Sequence, residues 1–487
     1  MKNIYIFIFG LILLNSCEDF LDEYPPQSIT SGNFYKNEQE MVMAANSVYN
    51  RLYSVWGAGS LPYLYGDLYG GDSWIYLTVG TAGDWEDLGN NMNVFPANGV
   101  ITGAWNNYYR GIFLVNDFLN ELEIFGVNNI ETPGLGERLK AEALFVRACL
   151  YYYLAQCYGD VPLVTQVLTP PEAIDLIQTP ESEVIAQVEE DLKFAISNLP
   201  TSYSGSDLGR VTSYAAKGML ARVYMAYGKN SEAQTVLADI INSGLYSLDS
   251  NGDGSIDNQD YSHVFDAYTK NSPECVLELQ FIHGVTGYNH NYANSYTPRI
   301  TQFHLPGQTD LLEAYGNGGV EDRLFLAFEA DDSVRRDISA AQYVSDLSGG
   351  DPFFCPHTTK YYHGYQETFN NGSNVPIIRF SEILLNMSEV TGDAQYLNRV
   401  RARAGLPGFG ESGYPAEFTT LTEALEHERR VEFSFEFQRG FDLKRTGRFL
   451  EVKSQELGKT LEPWRIHFPI PETVLDVNKE MTQNDGY

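Results

Sequence analysis

The sharpest local chemistry lies in Asp249-Ser250-Asn251-Gly252-Asp253-Gly254-Ser255-Ile256-Asp257-Asn258-Gln259-Asp260. Asp249, Asn251, Asp253, Asp257 and Asp260 stand at positions 1, 3, 5, 9 and 12 of a loop, Ser255 offers a backbone carbonyl at position 7, and Gly254 sits where the chain must turn sharply. Hard oxygen donors at this spacing wrap Ca2+, with Ile256 as the apolar anchor and Asp260 replacing the usual Glu. The flanks lack the pattern of a paired helical hand, so the expected role is structural; a solvated Asp/Asn/Gly turn is the competing reading. Further along, Glu428-Arg429-Arg430-Val431-Glu432-Phe433-Ser434-Phe435-Glu436 sets Arg429, Glu432 and Glu436 on one face of a helix running to Glu436. Buried charges need partners, so this face reads as an ion network docking the helix to a core. The sequence holds no G-x-S-x-G, H-E-x-x-H, phosphate-binding or dinucleotide-binding motif. A glycosidase-type pair of carboxylates stays open, because only its spacing in space matters.

The elements that must position these groups are mostly helices. Apolar residues recur at helical spacing in 41–56, 137–158, 181–199, 212–228, 231–243, 379–391, 394–404 and 421–436. Thr179-Pro180 opens the third of these, and Thr420 with Glu423 forms a capping box at the last. Paired helices broken at Gly228-Lys229-Asn230 and Gly392-Asp393 resemble tetratricopeptide units. The expected fold is mostly α: helix pairs at about 34–56, 104–243 and 379–445 form a scaffold. Variable loop-rich regions at 57–103 and 244–375 pack against it, with short strands such as 276–281. Cys149 and Cys157 lie too far apart on one helix for a disulfide and read as small core residues.

The chain has 487 residues, 43% of them hydrophobic, which excludes a wholly disordered polymer. Its formal charge of −32 excludes a phosphate backbone as partner. Near the N-terminus an apolar run, Ile4 to Leu14, is too short for a membrane span and is followed by Leu14-Asn15-Ser16-Cys17. This looks like a bacterial lipoprotein signal: residues 1–16 are removed and Cys17 is lipidated, leaving 17–487 as one body.

Several blocks then carry a family resemblance. They are Cys17-Glu18-Asp19-Phe20-Leu21-Asp22 with Pro25 and Pro26; Trp105, Tyr108 and Asn116; LKAEALFVRACLYYYLAQCYGDVP at 139–162; RFSEILLNMSEVTGDAQYLNRVRARAGLP at 379–407; ERRVEFSFEFQRGFDLKR at 428–445; FPIP at 468–471; and QNDGY at 483–487. In this order they resemble the SusD/RagB family of outer-membrane nutrient-binding lipoproteins of Bacteroidetes. The resemblance implies a non-catalytic, lipid-anchored protein of the outer membrane facing the cell exterior. It implies a SusC-like TonB-dependent transporter as partner and a glycan as ligand; peptides or another nutrient stay open on the same scaffold. The family offers no universal ligand residues to carry over. Sugar capture needs exposed rings beside amides and carboxylates, which places the site at Trp74, Tyr76 and Trp85 with Asp67, Asp72 and Asn91. Tyr288, Asn291, Tyr292 and Tyr296 are the expected opposite wall, whereas Trp56 and Trp105 fall in helical patterns and read as core.

Overall fold

The computed structural model describes residues 34–75, 83–285, 290–296, 319–344, 353–361 and 372–487. Its centre is the helix Leu135–Tyr158, buried on nearly every side from Leu139 onward. A helix apolar all round must be enclosed, and here its neighbours are Glu38–Tyr49, Gly99–Phe125, Glu181–Asn198 and Ser213–Ala226. The stack continues through Asn230–Asn242, Phe380–Thr391 and Ala394–Arg403, each packed on the one before. The second and third helix pairs are therefore neighbours in space, and residues 244–375 emerge between them as one long insertion. Trp56 and Trp105 are buried, as are Cys149 and Cys157. The first expected helix breaks at Asn50 into Glu38–Tyr49 and Arg51–Trp56. The capping box of Thr420 and Glu423 forms, with each residue taking the other's backbone N–H.

Strands are few. Cys275–Leu279 pairs antiparallel with Val375–Arg379. A second small sheet orders Ser73–Trp74, Gly319–Val320, Phe353–His357 and Ala341–Val344 side by side.

Two regions differ from the sequence reading. The first part of the segment 57–103 is not a loop laid over the scaffold: every residue from Ser60 to Ser73 is buried, and Pro62–Tyr69 forms a wide helical turn inside the core. Glycine makes this possible. A Cβ on Gly66 would lie 2.3 Å from the Phe437 carbonyl oxygen, and one on Gly440 would lie 2.2 Å from that of Tyr65. The Gly- and Tyr-rich composition thus reflects close backbone packing, not exposure. The helix expected to reach Glu436 is Leu421–Glu432 and stops there. Beyond it Phe435 and Phe437 adopt left-handed backbone with φ of 61° and 66°, each disfavoured by about 1–2 kcal/mol for a non-glycine residue. Three anchors hold the turn: Tyr361 Oη donates to the Phe435 carbonyl, Lys360 Nζ donates to the Ser434 carbonyl at 2.8 Å, and Asp67 accepts the Phe437 N–H at 3.0 Å.

The ion network expected at this helix is present with other members. Arg429 turns away to Asp442, Asn386 and Gln438. Glu432 instead meets Arg335 at 3.0 Å, Arg379 at 2.7 Å and Arg403 at 2.5 Å, all fully buried. Glu428 joins Arg335 to Arg401, Glu274 joins Arg379 to Arg403, and Glu436 takes Arg379 and Lys360. Tyr261 and Phe265 lie over these guanidinium groups, so the network joins the inserted region to the scaffold.

Candidate functional site

Trp85 sits on the short helix Gly83–Gly89 with its ring edge-on to Tyr63, centroids 6.4 Å apart. The helix is fastened to the start of Gly99–Phe125. The Asp84 carboxylate accepts the Gly99 N–H at 2.8 Å, and Asn98 Nδ2 donates to the Asp84 carbonyl at 2.9 Å. Asn98 Oδ1 also takes the N–H groups of Val100 and Ile101, capping the long helix. Between these elements lies an open depression of about 610 Å3, lined by Gly59, Asp84, Trp85, Gly99, Val100 and Gly103 among others. Its walls are one half-buried indole, one carboxylate, the side chains of Val100 and Ala104, and backbone left bare by glycine. A flat ligand with an apolar face and a hydroxyl rim can approach the ring there across glycines and the short side chains of Val100 and Ala104.

Trp74 lies nearby on the strand Ser73–Trp74 and is exposed. The following residue, Ile75, is clamped by Asn90, which takes its N–H at 2.9 Å and donates to its carbonyl at 3.1 Å. Asn90 ends the Trp85 helix, so the two tryptophans stand on adjoining segments. Tyr76 lies outside the described residues, as does Tyr288. Asn91 is exposed, with a long contact from Nδ2 to Asp87 at 3.4 Å. Asn291 is half-buried and accepts from Tyr53 Oη at 3.4 Å.

Four expected ligand residues are core instead. Asp67 is buried beneath Tyr296, whose hydroxyl donates to it, and burial pushes its carboxyl up to about 8. Asp72 is buried against Arg430, with Nε–O contacts of 3.0 and 3.1 Å. Burial opposes its charge, but the Arg430 guanidinium outweighs that and holds the carboxyl below its usual range. Tyr292 donates to the Trp56 carbonyl, and both Tyr292 and Tyr296 stack on Tyr361 with centroids 5.1 and 5.2 Å apart. The four-residue spacing of these tyrosines aligned them on one helix face, and that face turns inward. Among the described residues, Tyr292 and Tyr296 therefore do not supply the opposite wall expected there. Conversely, Asp84, Gly59, Gly99 and Gly103 were not anticipated; the signal was the cluster Gly83-Asp84-Trp85 in a glycine-rich stretch.

The loop 249–260 is closed by its own carboxylates. Asp249 takes the N–H groups of Gly252 and Gly254, and Asp253 takes that of Ser255. Asp260 is fully buried and accepts from the backbone of Ser250, Asn251 and Asp257 at 2.7, 3.2 and 2.9 Å. It also completes a capping box with Asp257 at the helix Asn258–Val264. Asp260 therefore does not fit as a ligand, since three donors already occupy its two oxygens. Ile256 is not an anchor but lies exposed. Asp249, Asn251, Asp253, Asp257 and the Ser255 carbonyl remain a hard-oxygen set that suits Ca2+. Among the described residues, three carboxylates converge at Asp72, Glu321 and Glu456. Arg430 and Lys453 are inserted there, which makes it a neutralised cluster.

Two sequence models of one family match the chain. Residues 334–487 match the model described as "SusD family", and residues 19–225 match its SusD-like relative described as "Starch-binding associating with outer membrane". The chain belongs to the SusD family. A SusD-like protein of Formosa agariphila is 25% identical over 100% of this chain and 98% of its own length. One from Bacteroides ovatus is 26% identical over 91% of this chain and 82% of its own. Among solved structures, a "Laminarin binding SusD-like protein" superposes with a TM-score of 0.75 at 24% identity, covering 93% of this chain and 100% of that one. "Surface glycan-binding protein A from Bacteroides fluxus" does so with a TM-score of 0.74 at 22% identity, covering 93% and 100%. The SusD fold of helical, tetratricopeptide-like pairs is thus shared along nearly the whole chain.

Proposed function

We propose that this SusD-family protein captures oligosaccharides or polysaccharide in the depression beside Trp85 and passes them, unaltered, to a SusC-like TonB-dependent outer-membrane transporter. The observation that carries the reading is the depression itself: an indole face, the Asp84 carboxylate and a glycine-bared floor in one open recess. Trp74, on the adjoining segment, offers an exposed ring outside the depression. Stacking on an aromatic face tolerates many ring substituents, which suits a protein that receives a polymer and performs no chemistry on it. Solved relatives bearing the same fold are named for laminarin and for surface glycans.

The same reading anchors the body to the outer membrane through acylated Cys17, facing the cell exterior. It also assigns Ca2+ to the loop 249–260, held by Asp249, Asn251, Asp253, Asp257 and the Ser255 carbonyl. There the ion would neutralise clustered carboxylates and stiffen an exposed loop. The test is a panel of purified glycans and peptides against the intact protein, with the bound fraction recovered and sized. Glycan binding with recovery of the uncut ligand is expected, as is loss of membrane attachment in Cys17→Ser. Binding of peptides alone, or recovery of shortened glycans, would overturn the reading.

A further inference from the structure

Among the described residues, Arg51 and Arg110 have neither an ion pair nor a hydrogen-bond acceptor, and Arg51 Nε is buried without a partner. Arg399, likewise without either, lies over the Phe380 ring instead, in a chain whose carboxylates outnumber its cations by 64 to 32. Other arginines around the same helices are paired: Arg138 with Asp207, Arg147 with Asp191, and Arg210 with Glu142 and Asp207. Arg51 and Arg110 are moreover neighbours. The helices Arg51–Trp56 and Gly99–Phe125 pack together. Burial and the Arg110 charge both push the Arg51 guanidinium below its usual range. Two like charges placed together without a counter-ion do nothing for stability.

Their position gives them a purpose. Gly59 and Gly103 both line the depression beside Trp85. Arg51 stands eight residues before the first, and Arg110 seven residues after the second. Seven residues are two helical turns, so Arg110 shares the face of Gly103 at a distance of about 10 Å. Between them on that face, Asn106 is exposed and Asn107 half-buried, and neither side-chain amide is hydrogen-bonded among the described residues. Two packed segments thus lead from the aromatic recess, past free amides, to the same unpaired cations.

We propose that Arg51 and Arg110 form an anion-reading subsite at the far end of the Trp85 recess, so that the captured glycan carries negative groups, either sulfate esters or uronate carboxylates. This rests on the proposed function, for which it names the ligand class. Guanidinium groups bind both kinds of oxyanion through paired N–H donors. The general negative field excludes acidic polymers elsewhere, and the local pair admits them here.

The experiment measures binding of dextran sulfate, polygalacturonate, uncharged dextran and laminarin by calorimetry at low and high salt. Wild type is compared with Arg51→Gln, Arg110→Gln, Trp85→Ala and, as a control for non-specific charge, Lys479→Gln on an exposed helix end. At least one anionic polymer is expected to bind more tightly than the neutral ones. Each arginine variant should weaken that binding about tenfold and flatten its salt dependence, leaving neutral binding and the Lys479→Gln result unchanged. The dextran sulfate and polygalacturonate arms separate sulfate from carboxylate. Arginine variants that bind both anionic polymers like wild type, or an equal loss in Lys479→Gln, would overturn the inference. If Trp85→Ala still weakens every ligand in that case, the proposed function stands. Weakening in the arginine variants with no effect of Trp85→Ala would uphold the anion site and reject the recess.

Discussion

Replacing Glu432 with Gln preserves shape and removes one charge from the centre of the buried network. The carboxylate faces three guanidiniums, Arg335, Arg379 and Arg403, at 3.0, 2.7 and 2.5 Å, with all four side chains almost fully excluded from water. Burial works against its charge, yet Arg403, Arg379 and Arg335 outweigh it and hold its pKa well below the usual value of 4.5. Breaking a buried ion pair by neutralising one member costs about 3–5 kcal/mol, because the remaining charge cannot be hydrated. For a chain this long, an unfolding entropy of about 1 kcal/mol per degree turns that into a fall of roughly 3–5 °C in melting temperature. The sign with pH follows from the depressed pKa. Glu432 contributes its stability above the unfolded carboxylate value, and the contribution is lost as pH falls through the folded one. The Glu432→Gln deficit should therefore be full at pH 7 and shrink in acid. Adding Arg403→Gln restores the charge balance, so the double variant should lose less than the sum of the singles by about 0.5–3 kcal/mol. Scanning calorimetry of the four proteins at pH 7 and pH 4 decides it. A Glu432→Gln melting temperature within a degree of wild type, or strict additivity, would refute the claim that this network holds the inserted region to the scaffold.

Asp67, with its carboxyl raised to about 8 by burial, binds its proton in the folded state between about pH 4 and pH 8, so the stability it confers declines as pH rises through that window. Asp67→Asn should flatten the profile and melt above wild type at pH 9, and parallel pH–melting curves would count against it. Gly440→Ala should lower the melting temperature by several degrees or abolish folding, since the new Cβ would lie 2.2 Å from the Tyr65 carbonyl oxygen; an unchanged melt would mean the backbones can separate freely. Chelation should lower the melting temperature of wild type but not of Asp249→Ala/Asp253→Ala, by ligand linkage. Asp260→Ala should be destabilised with and without Ca2+, because it clasps three backbone N–H groups; equal loss in both variants on chelation would reject the division of roles.

The helix pairs were legible because their apolar spacing and caps are local: Thr420 and Glu423 specify a helix start wherever it sits. The stop at Glu432 was not. Nothing in Phe433-Ser434-Phe435-Glu436 breaks a helix, and the left-handed Phe435 and Phe437 are imposed by Asp67, Lys360 and Tyr361 from distant parts of the chain. Tyrosine misled in the same way. Its ring and hydroxyl suit both a wet surface and a core with buried acceptors; Tyr65, Tyr69 and Tyr292 donate there to backbone carbonyls and Tyr296 to the Asp67 carboxylate. Trp74 and Trp85 could be singled out by type, but their neighbours could not. Asp84, Gly59 and Gly103 enter the recess only because two helices meet there, and meeting is a property of the packing.

The most direct test of glycan capture at the recess is calorimetry of Trp85→Ala with the tightest-binding glycan from the panel. Loss of the ring should weaken binding by about 1–3 kcal/mol, with the melting temperature nearly unchanged because the indole is half-exposed at the edge of Tyr63. Wild-type affinity in the variant, or its collapse to an unfolded chain, would contradict the assignment.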